Sequence, residues 1–193
     1  MKSRHLTFVA VVSTVAAMFA VSYVSWLIVR FPGDRGPVYD TWGSANETFQ
    51  VRMTAYREVG IMMPGAFYTF ESAPLGSDEW REVKSFRGDD AIPLRTLSER
   101  FRFVNANTAY FYTSGEFFLT RDGGRNWSAW HPYLPEPDGT HVSWAIMNAR
   151  VESNGTGKAY LWRYDETTKG EAKLQVFTRD YGWNWAPIVS SQR

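Results

Sequence analysis

One short pattern occurs twice in this chain and constrains its fold more than any other feature. Residues 120–127 read Thr-Arg-Asp-Gly-Gly-Arg-Asn-Trp, and residues 178–185 read Thr-Arg-Asp-Tyr-Gly-Trp-Asn-Trp. Each copy lies in an aromatic, strand-like context. Short strands separated by Gly, Asn and Asp are typical of antiparallel hairpins. The repeat therefore predicts two similar hairpins within one β domain.

Every shared position of the pattern Ser/Thr-x-Asp-x-Gly-x-x-Trp has a physical reason. The Asp carboxylate accepts hydrogen bonds from backbone N–H groups of its own turn, and the Ser/Thr hydroxyl adds another local bond. The Gly supplies a positive φ, and the Trp buries a large ring while its N–H needs an acceptor. These roles are structural and not catalytic. The predicted positions are Thr120, Asp122, Gly124, Trp127, Thr178, Asp180, Gly182 and Trp185.

This pattern resembles the Asp-box, the hairpin signature of sialidase-type (BNR-repeat) β-propellers and of the photosystem II stability/assembly factor family. The wider segment 102–127 is similar to one blade of such proteins. Residues 145–189 follow the blade pattern less closely, and residues 49–86 keep Ser72 and Trp80 but lack the Asp. The resemblance implies about three degenerate blade-like units, and repeat arrays need about that many to bury a common core.

The number of units limits how the domain can close. Propellers have 4–8 blades, so about three units do not easily close a ring. Further strands are predicted over 48–59, 66–72 and 79–86, and one short helix over 93–101. We expect an all-β domain of antiparallel hairpins, either a partial propeller-like array or packed sheets. A ring completed by several chains stays open as an alternative.

An uncharged apolar segment at the amino terminus, residues 6–29, is the second strong signal. A helix of this length, rising 1.5 Å per residue, crosses a hydrocarbon core of roughly 30 Å. Cleaved signal peptides have apolar regions of only about 7–15 residues, so we expect an uncleaved transmembrane anchor. Lys2 and Arg4 precede this segment, and the positive-inside rule then favours a cytoplasmic amino terminus.

These signals divide the chain into four predicted parts. Residues 1–5 form a cytoplasmic tail, residues 6–29 the anchor, and residues 30–47, with their Pro and Gly, a linker. Residues 48–193 form an extracytoplasmic Asp-box β domain. We expect a single-pass protein of the inner or photosynthetic membrane, with the domain in the periplasm or a lumen.

Composition and missing motifs argue against catalysis. The chain has no cysteine, which excludes disulfides and thiolate nucleophiles, and its net charge of +1 does not favour nucleic-acid binding. Sialidases carry an Arg-Ile-Pro segment, whereas here Ala91 precedes Ile92 and Pro93. His131 and His141 lack the spacing of a defined metal site. We therefore predict that the protein is not an enzyme and has no cofactor and no metal.

The resemblance to assembly factors implies a non-catalytic subunit of an integral-membrane protein complex, of the photosynthetic or respiratory kind. Such a subunit would bind or scaffold the complex or assist its assembly. Candidate contacts are arginines of the repeated turns and small residues of the anchor, which allow helices to approach closely. The predicted partner-binding residues are Arg121, Arg125, Arg179, Ser13, Ala16, Ala17 and Ala20.

Two other functions remain open at this point. An envelope carbohydrate-binding module would use aromatic side chains as a sugar platform. The candidates for such a platform are Trp42, Trp130, Trp144, Trp162 and Trp183. A small glycoside hydrolase is the other alternative, although the sequence offers no residues for it.

Overall fold

The computed structural model describes residues 35–58, 66–88, 93–136, 139–166 and 168–188. Within these residues the fold is all-β, as predicted, and every strand pair is antiparallel. Three four-stranded sheets and one two-stranded hairpin follow one another along the chain. The anchor predicted over 6–29 lies outside the described part, in which no helix is long and apolar enough to cross a membrane.

Each four-stranded sheet is a meander in which consecutive strands are neighbours. Sheet 1 contains β1 (Arg35–Ala45), β2 (Phe49–Glu58), β3 (Ala66–Pro74) and β4 (Arg81–Gly88). The short helix α1 (Leu94–Ser98) leads to sheet 2, which contains β5 (Phe101–Phe103), β6 (Ala109–Tyr112), β7 (Phe117–Thr120) and β8 (Ser128–Trp130). The hairpin pairs β9 (Tyr133–Pro135) with β10 (His141–Ser143). Sheet 3 contains β11 (Ala145–Val151), β12 (Gly157–Asp165), β13 (Gly170–Thr178) and β14 (Ala186–Pro187).

The linker predicted over 30–47 is wrong for residues 35–45, which form β1. This strand pairs with β2 from Arg35 to Ala45, with register shifts on both sides of Val38. Pro and Gly are tolerated here because β1 is an edge strand, whose outer backbone groups need no ladder partner. Most of its side chains are exposed, so the sequence shows no clear apolar alternation.

The predicted strands of sheet 1 are confirmed, and the predicted helix is shorter than expected. Strands β2, β3 and β4 overlap the segments predicted over 48–59, 66–72 and 79–86. The helix predicted over 93–101 ends at Ser98, since Phe101 already belongs to β5. Alternate residues of β2 lie on one face and are all buried, at no more than 1% exposure: Phe49, Val51, Met53 and Ala55.

The first of two hydrophobic clusters holds sheet 1 against sheet 2. Phe70 of β3 packs on Phe111 of β6, with ring centroids 4.8 Å apart, and the buried Leu94 and Leu97 of α1 close the side of the cluster. Trp127, which follows the first repeated turn, packs edge-on against Phe70 at 5.1 Å. Burial of aromatic rings on this scale supplies most of the stabilisation available to such an interface.

The second cluster holds sheet 2 against sheet 3, so sheet 2 is buried on both faces. Along β6, Phe111 belongs to the first cluster, whereas Tyr110 belongs to the second. Phe117 of β7 packs on Trp185, which follows the second repeated turn, with centroids 5.2 Å apart. All residues of β6 and β7 are buried. The three sheets therefore form an open stack in the order 1, 2, 3.

The strand registers place the three sheets in one common frame. The first residue of the last strand pairs with Ser72 in sheet 1, with Leu119 in sheet 2 and with Phe177 in sheet 3. A tryptophan precedes that strand in every sheet: Trp80, Trp127 and Trp185. Ser72 is therefore the counterpart of Leu119. The sequence pattern alone matches Ser72 to the threonine of the repeated turn, which is one residue out of register.

The glycine of each repeated turn lies against an aromatic ring of the preceding sheet. A Cβ atom added at Gly124 would lie 2.6 Å from Cδ2 of Phe49, and one added at Gly182 would lie 2.6 Å from Cε1 of Phe117. Both glycines also have a positive φ, of 78° and 94°. These positions need glycine for backbone conformation and for close approach between sheets.

Replacement of Gly124 should separate these two requirements. Gly76 has a similar φ of 72°, but nothing lies within 4 Å of its added Cβ. We expect Gly76→Ala to lower the free energy of unfolding by about 1–2 kcal/mol through backbone strain alone. Gly124→Ala should cost about 1–3 kcal/mol more, because the methyl group meets Phe49. Urea unfolding of both variants measures the difference, and equal losses would show that the turn does not bear on sheet 1.

Candidate functional site

The first repeated turn, box turn 1 (residues 120–127), is organised by the carboxylate of Asp122. Its Oδ1 accepts hydrogen bonds from the Thr120 hydroxyl and the Asn126 backbone N–H, both at 2.9 Å. Its Oδ2 accepts a bond from the Asn126 side-chain amide at 2.7 Å. The Thr120 hydroxyl in turn accepts the backbone N–H of Gly124 at 3.1 Å. The side chains therefore satisfy the polar groups of the turn locally.

Box turn 2 (residues 178–185) repeats this arrangement. Asp180 accepts bonds from the Thr178 hydroxyl at 2.7 Å, the Asn184 backbone at 2.9 Å and the Asn184 amide at 2.6 Å. The Thr178 hydroxyl accepts the N–H of Gly182 at 2.9 Å. The two turns make the same hydrogen bonds. We infer that the Asp and Thr side chains and the Gly backbone of each turn stabilise the fold.

The asparagines at 126 and 184 are functional parts of the turns that sequence reasoning missed. Both occupy the same place in the repeat, so their identity was visible in the sequence. Desolvation, the largest influence, would raise the pKa of Asp122. The hydrogen bonds from Asn126, Thr120 and the Arg125 backbone together outweigh it, and the pKa lies below its ordinary value. The pKa of Asp180 is lowered in the same way. Both groups are therefore held as hydrogen-bond acceptors.

The two tryptophans of the box turns differ in their polar contacts. Trp127 donates its indole N–H to the Ser72 hydroxyl at 3.1 Å and to the Gly124 carbonyl at 3.2 Å. Ser72 also donates to that carbonyl at 2.9 Å, so one residue of sheet 1 ties down box turn 1. Trp185 is buried, but its indole N–H has no partner within the described ranges. It is held by ring packing against Phe117 and Trp130.

The predicted partner-binding arginines are all exposed, but they lie in different surroundings. The guanidinium of Arg121 lies 4.2 Å from the ring of Trp183, a half-exposed residue of box turn 2. Arg125 lines a small cavity beside Ser72. Arg179 lies over the ring of Phe177, at 5.5 Å. The other predicted contacts lie outside the described residues: Ser13, Ala16, Ala17 and Ala20.

The free face of sheet 1 is closed by a polar pair. Arg52 donates to Glu71 through Nε at 2.7 Å and through Nη2 at 3.2 Å, and its guanidinium lies 4.2 Å from the ring of Trp80. Registers place this pair where sheet 2 has Phe111 opposite Phe118 and sheet 3 has Ala159 opposite Val176. Those apolar pairs contact a preceding sheet, whereas the charged pair ends the stack. Polar outer faces are what terminal repeats of an array require.

The free face of sheet 3 carries the Glu171–Lys173 ion pair, with Glu171 also bonded to the side chain of Trp162, but it leaves large aromatic residues exposed. Tyr160 and Tyr164 are 51% and 48% exposed, and Trp162 lies between them on the same side of β12. Met147 and Ile188 are further exposed apolar residues of this sheet and its edge, at 62% and 37%. A row of exposed aromatic side chains of this kind marks an interaction site. We call the outer side of sheet 3, with this aromatic row, the open face.

A groove of about 820 Å³ lies at one end of the open face. The start of β12 and the end of β13 form its floor, through Gly157, Lys158 and Phe177. Its rim carries the cationic side chains of Arg150 and Arg179 and the carboxylate of Glu152. The groove combines an apolar ring with charges, which suits a protein segment better than a purely apolar ligand.

Several of the residues considered for a sugar platform or a metal site are engaged in other contacts. Trp144 is buried, and Trp130 stacks on Trp185, so neither is available as a platform. His131 lies 3.6 Å from Glu116, and His141 packs against Tyr133. Across the described ranges, no group of three or more His, Asp or Glu side chains could hold a metal ion.

Comparisons with known proteins identify no relative of this chain. No protein-family model, curated protein or solved structure matches the chain. The features that can carry a function are thus the two box turns, the polar end of the stack and the open face. Of these, the open face is the one that presents a row of aromatic side chains.

Removal of the Asp122 side chain should destabilise the protein without any ligand present. Asp122→Ala leaves three donors of box turn 1 without their acceptor, which costs roughly 1–3 kcal/mol of unfolding free energy. Asp78→Ala is the matched control, since Asp78 is an exposed residue of the corresponding turn in sheet 1. It should change stability by less than about 0.5 kcal/mol. Thermal and urea unfolding test both, and an unchanged Asp122→Ala protein would contradict the folding role.

Proposed function

We propose that this chain is a non-catalytic, membrane-anchored extracytoplasmic subunit that binds an integral-membrane protein complex and scaffolds it or assists its assembly. In this proposal the domain is an open, propeller-like arc of three blade-like sheets, of which sheets 2 and 3 carry an Asp-box. The observation that carries the proposal is the difference between the two ends of the stack. One end is closed by Arg52 and Glu71, and the other presents the open face.

The internal interfaces indicate what the open face is suited to bind. On the corresponding sides of sheets 1 and 2, Met53 and Tyr112 are buried against the next sheet. Tyr160 occupies the same position in sheet 3, but it is half-exposed. A surface that packs against protein twice within the stack is suited to protein contact at its end. This supports a binding subunit over a free-standing domain.

The place where the chain enters the domain supports a membrane partner. The expected anchor ends at residue 29, and β1 begins at Arg35, so only a few residues separate the two. In a meander the start of the first strand lies at the end of the sheet opposite the turn that joins strands three and four. The box turns then lie about one strand length, ~30 Å, farther from the tether. The sides of the sheets, including the open face, become available to a neighbour in the same membrane.

A carbohydrate-binding module remains the second candidate, and one observation favours it. Tyr160, Trp162 and Tyr164 form a row of aromatic side chains on one side of β12. Aromatic side chains in a row give extended contact area at low conformational cost, which also suits ring-shaped ligands. Against it, the side chain of Trp162 is already bonded to Glu171, and the equivalent surfaces of sheets 1 and 2 bind other sheets.

Native electrophoresis of the full chain tests the proposed function. Membranes that contain the protein are extracted with a mild detergent, separated on native gels and probed for the chain, with mass spectrometry of the band. We expect migration with a much larger assembly, and migration as a monomer after extraction with a harsh detergent as the control. A free monomer under the mildest conditions, together with binding on a glycan array, would replace the proposal with the carbohydrate-binding one.

A further inference from the structure

We propose that the groove of the open face receives a turn from a partner's β-sheet, and that this turn carries carboxylate groups. The inference rests on the proposed function and adds the site and the chemistry of the contact. It begins from the way the sheets of this chain already bind one another.

Within the stack, the equivalent position on sheet 1 is filled by box turn 1. Gly124 of that turn lies against Phe49 at the start of β2, and its carbonyl binds Ser72 near the end of β3. The groove on sheet 3 has the same two borders, the start of β12 and the end of β13. Phe177, which lines it, is the register counterpart of Ser72. The groove is thus the position at which a following sheet would seat its turn.

The residues of the groove differ in charge from those of the internal interfaces. In sheet 2 the cross-strand pair at this position is Tyr110 opposite Leu119, and both are buried against sheet 3. In sheet 3 the corresponding pair is Lys158 opposite Phe177. The exposed Lys158 replaces an aromatic residue, so the occupant must offer an acceptor to an ammonium group as well as apolar contact.

Among the described residues that line the groove, cations outnumber carboxylates. Arg150 is paired with Glu152 at 2.8 Å, and farther along the sheet Lys173 is paired with Glu171 at 3.0 Å. Lys158 and Arg179 have no carboxylate within 4.0 Å among the described residues. Two lining cations that no described carboxylate pairs favour an anionic occupant, and Asp or Glu on a turn supplies both charge and hydrogen-bond acceptors.

A second copy of this chain fits the groove poorly. Head-to-tail stacking would bring the free face of sheet 1 onto sheet 3, but Arg52 and Glu71 satisfy each other there and cover Trp80. Face-to-face pairing of two open faces would place Lys158 and Arg179 of both copies in one interface. Like charges brought together in an interface oppose association. The partner is therefore a different protein.

Site-specific cross-linking in native membranes tests the inference on the full chain. A photo-reactive amino acid replaces Tyr160, which lies two residues from the groove residue Lys158 on the same side of β12. In the control variant it replaces Tyr133, which is 59% exposed on the β9–β10 hairpin. We expect an adduct from position 160 in which the cross-linked partner peptide contains Asp or Glu, and none of that mass from position 133. Lys158→Glu should reduce the adduct roughly tenfold, whereas Arg95→Glu, an equal charge change on α1, should not. Exchange of the identified partner carboxylate for Lys should restore the adduct with Lys158→Glu.

The other outcomes overturn the inference, and they separate it from the proposed function. An adduct of twice the chain mass would indicate a second copy, and an adduct with lipid or glycan would indicate those ligands instead. If the yield of the adduct did not change in Lys158→Glu, the inference that the partner's turn carries carboxylate groups would be wrong. If the chain migrates with a large assembly but position 160 gives no adduct, the groove is wrong while the subunit role stands. If the chain is a monomer, both are wrong.

Discussion

The contact of a box turn with the sheet before it is the interaction on which the rest of this domain depends. The Asp122 carboxylate and the Thr120 hydroxyl close the turn, and the closed turn lets the backbone of Gly124 approach the ring of Phe49. Box turn 2 does the same against Phe117. The repeat in the sequence is therefore a repeat of inter-sheet contacts, since a bulkier or looser turn would hold the sheets apart.

This way of joining sheets has a direction, and the direction creates two unlike ends. Each box turn reaches back to the preceding sheet, so the first sheet needs no box turn and the last sheet receives none. Sheet 1 accordingly ends in the Arg52–Glu71 pair, and sheet 3 ends in the open face with Tyr160 at its centre. An array that needs no further sheet would be expected to close both ends with polar residues. The unequal ends are the physical reason to look for a partner at one of them.

The sequence predicts the parts of this fold whose physics is local. The turn pattern specifies its own hydrogen bonds, and the alternation of β2 specifies its buried face. The parts that depend on neighbours were missed. β1 is exposed at an edge, so burial leaves no pattern in it, and Ser72 was placed one residue out of register because only strand pairing distinguishes it from a turn residue. The open face was hidden because the apolar residues of β12 occur on both of its sides.

The most direct test of this account is a double-mutant cycle between Phe49 and Gly124, measured by urea unfolding. If the backbone of the turn bears on the ring, removal of the ring in Phe49→Ala relieves the clash caused by Gly124→Ala. The double variant should then be about 1–3 kcal/mol more stable than the sum of the single losses predicts. Strictly additive losses would mean that box turn 1 and sheet 1 do not interact at this point, and would contradict the account.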